Sequence, residues 1–295
     1  MAQRLLDPRI LARISSIELV AKTVVEGFVS GLHRSPYFGF SQEFAEYRPY
    51  VPGDDPRFVD WNVFARTDRI YLKRYIGETN TRLAILVDAS ASMGYHSREV
   101  SKLEFGRYLA ASLAYLSLHQ HDAVSLIVFD EQVRQYLPPS TRPGQLHGIL
   151  HALEKAQPAA RTHTHAAIEH LQRFSSKRGL VAVISDFYHD PQDLVKAVRP
   201  LCYHGDDLIL FHVLDPAELA PQLHDSTLLE DMETGERMEV APEFAGGEYR
   251  RLIQSHIEAL QKEIRGAGAD YLLLDTSRPL DEALKEYLLF RLRRR

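Results

Sequence analysis

The sequence predicts an α/β protein with a doubly wound, mostly parallel sheet, preceded by an N-terminal helix and an irregular extension with β-hairpin character. Two observations support this prediction. From about residue 82 onward, short apolar runs rich in β-branched residues recur, and segments with helical periodicity lie between them. The runs are almost continuous in hydrophobicity, which is typical of parallel strands buried on both faces.

The predicted strands and helices alternate along the chain. The strands are "RLAILVD", "AVSLIVFD", "GLVAVISD", "DLILFHVLD" and "DYLLLD". The helices are predicted over residues 99–119, 164–174, 191–198 and 248–265, where apolar residues recur at helical spacing. A strand–helix alternation of this kind is typical of a sheet with helices on both faces.

Two hairpins and a closing helix complete the predicted fold. "FDEQVRQYL" turns at Asp130 and Glu131 into an antiparallel edge strand, and "STLLEDMETGERMEV" turns at Thr234 and Gly235. The last segment, "RPLDEALKEYLLFRLRRR", predicts a helix with a basic end.

Composition excludes several classes of protein. A net charge of −5 and a pI near 6.3 provide no general attraction to nucleic acid or anionic lipid, so we expect neither as a partner. Cys202 is the only cysteine, which excludes an intramolecular disulfide and favours a reducing compartment. We therefore expect a cytoplasmic protein.

The N-terminal segment "RILARISSIELVAKTVVEGFVSG" is the one candidate membrane span. Charged residues at positions 13, 18, 22 and 26 interrupt it too often for a bilayer core, and it lacks the pattern of a signal peptide. We expect an amphipathic helix that packs on protein, and no membrane span.

The chain is predicted to contain two parts, a helix with a charged and aromatic extension over residues 1–81 and an α/β domain over residues 82–295. The extension includes "RPYVPGDDPRFVDW", which is dense in charge. Ion pairs that fasten the extension to the sheet domain are the slightly favoured interpretation, and a partner-binding surface is the alternative.

Polar side chains follow two predicted strands at their carboxyl ends, where ligands bind in open parallel sheets. Asp88, Ser90 and Ser92 alternate after the first strand, so an extended chain directs all three side chains to one side. Asp186 ends another strand, and Thr162 lies in a loop before a helix. Carboxylates and hydroxyls suit a hard cation, with Mg²⁺ first and Mn²⁺ or Ca²⁺ as alternatives.

The order D-x-S-x-S, then Thr, then Asp resembles the metal-ion-dependent adhesion site (MIDAS) of von Willebrand factor A-type domains. The resemblance implies Ser90, Ser92 and Thr162 as direct ligands, with Asp88 and Asp186 binding the ion directly or through water. It also implies one open coordination position for an acidic side chain of a protein partner.

The upstream segment "EFAEYRPYVPGDDPRFVDWNVFARTDRIYLKRYIGE" resembles a bacterial family of unknown function whose A-type domains are associated with MoxR-type AAA+ ATPases. One position departs from the pattern, because Arg161 and His163 flank Thr162 where the family has glycine and aspartate. Thr164 is the rival ligand, and the spacing to Ile168 of the next helix favours Thr162.

Other interpretations of these residues remain. A helix cap would explain one of the three residues Asp88, Ser90 and Ser92 but not their alternation. The histidines at positions 151, 163, 165 and 170 could suggest zinc, but they lack ligands at zinc spacing, and solvated histidines are favoured.

A serine hydrolase is the alternative function, with Ser92 as nucleophile and Asp186 plus His224 or His256 completing a triad. A metal-assisted hydrolase is a further enzymatic option. We expect instead a non-enzymatic module that docks a MoxR-type ATPase or its client through a bound ion.

Overall fold

The computed structural model describes residues 7–14, 16–32, 46–49, 63–64, 71–74, 82–159, 164–174, 178–188, 190–222 and 225–293. The chain divides into two compact units. One combines the described residues up to 30 with those from 82 onward, and the other lies within residues 31–80. In the smaller unit, β1 (Glu46–Pro49) and β2 (Tyr71–Arg74) pair antiparallel.

The larger unit is built on a six-stranded sheet whose spatial order is β10-β7-β6-β3-β4-β5. Its strands are β3 (Arg82–Asp88), β4 (Ala123–Phe129), β5 (Val133–Ser140), β6 (Leu180–Ser185), β7 (Asp207–Leu214) and β10 (Asp270–Asp275). All neighbouring pairs are parallel except β4 and β5. The predicted α/β class, the mostly parallel sheet and the antiparallel edge are therefore confirmed.

A separate antiparallel hairpin consists of β8 (Thr227–Glu230) and β9 (Arg237–Val240), as the sequence predicts. We call residues 227–240 the β8–β9 hairpin. Its turn is held by Asp231, whose carboxylate accepts hydrogen bonds from the backbone N–H groups of Glu233 and Thr234 at 2.7 and 2.9 Å. These hydrogen bonds within the hairpin help to fix the conformation of its turn.

Helices cover the sheet. They are α1 (Pro8–Leu11), α2 (Ile17–Leu32), α3 (Lys102–His119), α4 (Gln145–Lys155), α5 (Thr164–Phe174), α6 (Pro191–His204), α7 (Pro216–Leu219), α8 (Pro242–Phe244), α9 (Arg250–Gly266) and α10 (Asp281–Arg293). A π-helical turn, Ala245–Tyr249, joins α8 to α9. No helix in the described part of the chain is long and apolar enough to span a bilayer.

Three helices differ from the sequence prediction for local reasons. α3 begins at Lys102 because the Ser101 hydroxyl caps it, accepting from the N–H of Glu104 at 3.1 Å. α6 continues past Pro200, where buried Leu201 anchors its last turn, and ends at His204, because the next residue, Gly205, has a φ of 91° that favours glycine. α4 was not predicted, although four of its eleven residues are buried on one face.

Burial along the strands explains why the apolar runs in the sequence predicted the strands and their ends. Every residue of β6 is buried, and in β3 all but the first residue are buried. A strand covered on both faces cannot alternate apolar and polar residues, so its hydrophobic run stops where the strand leaves the core. The ends of these runs therefore mark the carboxyl edge of the sheet.

Candidate functional site

The ends of β3 and β6 meet at the carboxyl edge of the sheet. β3 and β6 are parallel neighbours, with Val87 opposite Ile184. Asp88 is the last residue of β3, and the hydroxyl of Ser185, the last residue of β6, donates to Asp88 Oδ2 at 2.6 Å. The adjacency of β3 and β6 thus brings the two acidic strand ends together.

The turn after β3 folds back onto the Asp88 carboxylate. The backbone N–H of Ser90 donates to Asp88 Oδ1 at 2.8 Å, and the Ser90 and Ser92 hydroxyl oxygens lie 3.1 Å apart. Asp88 and Ser90 are fully buried, and Ser92, which begins a short 3₁₀ turn, is half-buried. The three oxygen-bearing side chains are therefore grouped as expected, but by this turn and not by the extended chain predicted from the sequence.

The Asp88 carboxyl lies in an environment that disfavours its charge. Burial, followed by repulsion from the Asp186 carboxylate, raises the pKa of Asp88 to about 7, although hydrogen bonds from Ser185 and Ser90 act in the opposite direction. A cation next to Asp88 would reverse this effect, because it would favour the ionised carboxylate.

Asp186 directly follows β6 and is paired with a buried lysine. Lys102 Nζ donates to Asp186 Oδ2 at 2.7 Å and to Glu218 Oε1 at 2.6 Å. Lys102 is fully buried, and the pair with Asp186 is shielded from solvent on both sides. Lys102 therefore neutralises part of the negative charge at this edge of the sheet.

Aromatic rings complete the surroundings of Lys102. Its ammonium lies 5.0 Å from the ring centre of Tyr188 and 5.9 Å from that of Tyr95. Burial opposes the charged form, but the carboxylates of Asp186 and Glu218 outweigh it, so the pKa of Lys102 is raised. Lys102 thus stays an ammonium at neutral pH.

The end of β7 supplies a further carboxylate to the same edge. Asp215 is fully buried and accepts hydrogen bonds from both the hydroxyl and the backbone N–H of Ser97, the latter at 2.9 Å. It also caps α7, whose Glu218 carboxylate accepts from the N–H of Asp215 at 2.8 Å. The loop after Ser92 is thereby fastened to the neighbouring part of the sheet.

The chain turns sharply immediately after Asp186. Phe187 is fully buried and has a φ of 45°, a left-handed conformation that a bulky residue adopts only where its surroundings impose it. The N–H of Phe187 donates to the Ser185 hydroxyl at 3.1 Å, and its carbonyl contacts His256 Nε2 at 3.2 Å. These contacts fix the backbone on which Asp186 is carried.

Thr162 lies outside the described residues, as do Arg161 and His163. The chain reaches the site just before them, because the N–H of Ala159 donates to the carbonyl of Ala89 at 3.0 Å. The rival residue, Thr164, is buried at the start of α5. The choice between the two threonines stays a prediction.

A glutamate that the sequence did not indicate also contacts the cluster. The Ser92 hydroxyl donates to Glu233 Oε1 at 3.0 Å, although the two residues are 141 positions apart. Glu233 is carried on the turn of the β8–β9 hairpin. The hairpin therefore brings a carboxylate to the outer side of the serine cluster.

The chemistry of this donor set fits a hard divalent cation. Adjacent ligands of an octahedral ion at about 2.1 Å lie about 3.0 Å apart, which is also the spacing of an ordinary hydrogen bond. The Ser90–Ser92 and Ser92–Glu233 oxygen pairs, at 3.1 and 3.0 Å, match it. Asp88 adds a buried carboxylate, so the residues present fit Mg²⁺, whose binding stays a prediction.

The histidines considered for a zinc site or for a hydrolase triad make contacts of a different kind where the structure describes them. His256 contacts the Phe187 carbonyl, and His224 lies outside the described residues. His170 packs edge-on against the Tyr136 ring, and His151 stacks with His147. Among the described residues, no group of three or more His, Cys, Asp or Glu side chains has the arrangement of a metal cluster.

The sequence reasoning missed Lys102, Glu218 and Glu233. A lysine in the first turn of a helix is unfavourable to the helix dipole, which could have indicated a charged partner for Lys102. Asp215 followed three residues later by Glu218 has the pattern of a capping box, which was also readable. No local pattern distinguishes Glu233 from the other polar residues of its turn.

Two mycobacterial proteins are similar to this chain in sequence over most of its length. The chain is 28% identical over 277 residues to an uncharacterized protein, Rv1480, of Mycobacterium tuberculosis, covering 92% of this chain and 86% of the relative. The uncharacterized protein Mb1516 of Mycobacterium bovis matches to the same extent. Neither name states an activity.

One solved structure shares the fold, and a second is less similar. The conserved hypothetical protein BatB of Bacteroides thetaiotaomicron superposes with a TM-score of 0.52 at 18% identity, over 72% of this chain and 98% of that one. A VWA domain, that of SpRpn10, is a more distant neighbour with a TM-score of 0.42 at 12% identity, over 70% and 94% of the two chains. At these identities, the likeness to BatB concerns the fold alone.

One family model covers most of the chain, including the candidate site and the segment upstream of it. It matches residues 46–259 and is described as a protein of unknown function, DUF58. The chain therefore belongs to the DUF58 family.

Proposed function

We propose that this protein is a metal-dependent interaction module that binds an acidic side chain of a protein partner through a divalent cation, Mg²⁺ first, held by Asp88, Ser90 and Ser92. The observation that carries the proposal is the convergence of these three residues with the end of β6. Asp186 and Thr162 belong to the same proposed ligand set.

Charge explains why an ion and an acidic partner belong together at this site. Asp88 and Asp186 are both buried, and Lys102 offsets part of their charge. A divalent cation would add the positive charge that Asp88 requires. An ion with a coordination position facing solvent then attracts a carboxylate from outside, since carboxylate oxygen is a preferred ligand of Mg²⁺.

The partner class follows from the sequence resemblance. Residues 43–78 resemble the family associated with MoxR-type AAA+ ATPases, so we propose such an ATPase, or a client that it remodels, as the partner. The protein would then act in the cytoplasm as an adaptor or assembly factor. The α/β architecture supports a binding role, because such sheets present their carboxyl edge as a docking surface.

The proposed role is non-enzymatic. A serine nucleophile requires a general base within hydrogen-bond reach of its hydroxyl. In the proposed triad that base is a histidine, but the described candidate, His256, contacts the Phe187 carbonyl, and the Ser92 hydroxyl contacts Ser90 and the Glu233 carboxylate. These contacts favour Ser92 as a ligand over Ser92 as the nucleophile of a triad with His256.

The test combines metal binding with partner capture. Calorimetry should show Mg²⁺ binding to the full chain, and Asp88→Ala should abolish it. A purified MoxR-type ATPase from the same genome should bind in Mg²⁺, be released by EDTA, and fail to bind Asp88→Ala. Asp193→Ala, an exposed aspartate on α6, is the matched control.

Two outcomes would contradict the proposal. One is the absence of Mg²⁺, Mn²⁺ and Ca²⁺ binding to the wild-type chain. The other is ester hydrolysis that is lost in Ser92→Ala but retained in Asp88→Ala, which would establish the hydrolase alternative.

A further inference from the structure

The β8–β9 hairpin is attached to the rest of the protein by few contacts. Its two strands contact each other far more than they contact any other element in the described part of the chain. Leu228, Leu229, Met232 and Met238 are 60, 44, 49 and 61% exposed. Because these apolar side chains face solvent, little buried apolar surface holds the hairpin against the sheet domain.

Glu233 is the exception within this exposed segment. Residues 228–232 and 234–239 are all exposed, but Glu233 is half-buried and its Oε1 accepts a hydrogen bond from the Ser92 hydroxyl at 3.0 Å. The methyl group of Met232 approaches Gly94, which closes the turn that Ser92 begins. The tip of the hairpin thus lies over the serine cluster.

Glu233 adds a carboxylate to an edge of the sheet that is already acidic. Its Oε1 contacts a serine cluster beneath which Asp88 and Asp186 are buried. Lys102 pairs with Asp186 and Glu218 at the same edge. A divalent ion between Asp88 and Glu233 would attract both carboxylates.

We propose that Glu233 is an internal carboxylate ligand of the ion site, and that the β8–β9 hairpin must move aside before an acidic partner can bind. This inference rests on the proposed function, because it assigns an occupant to the coordination position that a partner would use. The Ser92–Glu233 spacing of 3.0 Å equals the distance between adjacent ligands of Mg²⁺, about 3.0 Å.

Displacement is feasible because the hairpin keeps its own structure. Asp231 holds the turn, the cross-strand hydrogen bonds hold β8 against β9, and Arg237 pairs with Glu230 at 2.8 Å. When Glu233 leaves the ion, these contacts within the hairpin remain. A partner carboxylate then competes with Glu233 for the same position.

The first experiment measures Mn²⁺ binding to the full chain by electron paramagnetic resonance and counts ion-bound water by proton relaxation. In Glu233→Gln, Mn²⁺ should bind about tenfold more weakly and gain a water molecule, since a carboxylate ligand is lost. Glu239→Gln, an exposed glutamate on β9, is the matched control and should behave as wild type.

The outcomes separate this inference from the proposed function. If Mn²⁺ binds wild type and Glu233→Gln with equal affinity and equal hydration, and Asp88→Ala abolishes binding, the ion site stands and Glu233 is not its ligand. If Mn²⁺ does not bind the wild-type chain, the proposed function fails and this inference fails with it.

The second experiment tests displacement with a defined probe, a synthetic peptide of six glutamates, at saturating Mg²⁺. The peptide should bind Glu233→Gln about tenfold more tightly than wild type, because the site no longer has to release its own carboxylate. Equal peptide affinity for the two proteins would overturn the displacement step.

Discussion

The hydroxyl of Ser185 and the carboxylate of Asp88 lie 2.6 Å apart, joining residues 97 positions apart in the sequence across two neighbouring strands. Ser185→Ala removes this hydrogen bond and leaves a buried carboxylate with one donor fewer. We expect the free energy of unfolding to fall by about 1.5–3 kcal/mol, as for hydrogen bonds to charged groups. Urea unfolding monitored by circular dichroism measures it.

Ser125→Ala is the control for this change. Ser125 is buried on β4 of the same sheet and donates to the Leu83 carbonyl, near the end of the sheet opposite the candidate site. It should lower stability without altering Mg²⁺ affinity, whereas Ser185→Ala should weaken Mg²⁺ binding about tenfold. Equal Mg²⁺ affinity in the two variants would contradict a supporting role for Ser185.

Lys102→Met should be the most destabilising change at this edge of the sheet. Lys102 is fully buried, and its removal leaves the carboxylates of Asp186 and Glu218 without their shared cation. Breaking a buried pair in this way lowers the free energy of unfolding by about 3–5 kcal/mol. Urea unfolding of the metal-free chain measures the loss.

The exposed lysine on α6 provides the comparison. Lys196→Met removes a solvent-exposed pair with Asp193 and should change stability by less than about 0.5 kcal/mol. Added Mg²⁺ should also stabilise Lys102→Met more than wild type, because an ion replaces part of the lost charge. A loss of similar size in the two lysine variants would show that the buried pairing does not matter.

Asp88→Asn should have opposite effects with and without metal. Burial and Asp186 raise the pKa of Asp88 to about 7, so a neutral side chain suits the metal-free site, and the variant should be at least as stable as wild type at pH 8. At Mg²⁺ concentrations near 100 times the Kd, wild type should gain about 2.7 kcal/mol and the variant nothing. Thermal unfolding with and without Mg²⁺ measures both effects, and an equal gain in the variant would exclude Asp88 as a ligand.

His212 should make the protein sensitive to acid. Burial lowers the pKa of His212 to about 3 from 6.5, while Asp186 acts in the opposite direction and His256 and Lys102 reinforce the lowering. Tyr271 contacts its Nδ1 at 2.5 Å. As pH falls below 6.5, this histidine binds a proton in the unfolded chain but stays neutral in the folded chain. The stability that neutral His212 contributes is therefore fully present above pH 6.5 and is lost as pH falls toward 3.

Unfolding by urea at several pH values between about 4.5 and 7.5 checks this dependence on either side of the unfolded histidine pKa. His212→Phe should show a shallower loss of stability toward acid than wild type. His119→Phe, at an exposed position on α3, should retain the wild-type slope. If the free energy of unfolding of His212→Phe depended on pH as steeply as that of wild type, His212 would not be the cause of the acid sensitivity.

The strand ends were predictable because buried strands have a recognisable pattern of apolar residues. A parallel strand covered on both faces needs an uninterrupted apolar run, so the first carboxylate after the run marks its end, as Asp88 and Asp186 do. The grouping of Ser90 and Ser92 with Asp88 was also predicted, but an extended chain is not its cause, because the chain turns after Asp88 and Ser92 begins a 3₁₀ turn.

Lys102 and Glu233 depend on tertiary contacts that no local pattern encodes. Lys102 meets Asp186 because α3 starts beside the end of β6, and Glu233 reaches Ser92 because the β8–β9 hairpin lies over the turn after β3. A polar residue in a hairpin turn looks the same whether it faces solvent or another loop. The contact of Glu233 with Ser92 therefore depends on the tertiary fold and not on the local sequence.

The order of strands in the sheet determines when the cluster can form as the chain folds. β3, β4 and β5 are contiguous in both sequence and space, so they can pair before β6 is available. β6 must then dock on the free side of β3 before Ser185 reaches Asp88, and Glu233 arrives later still in the sequence. A chain emerging from the ribosome therefore exposes Asp88 and its serines well before their partners exist, and under the proposed function ion binding would mark completed folding.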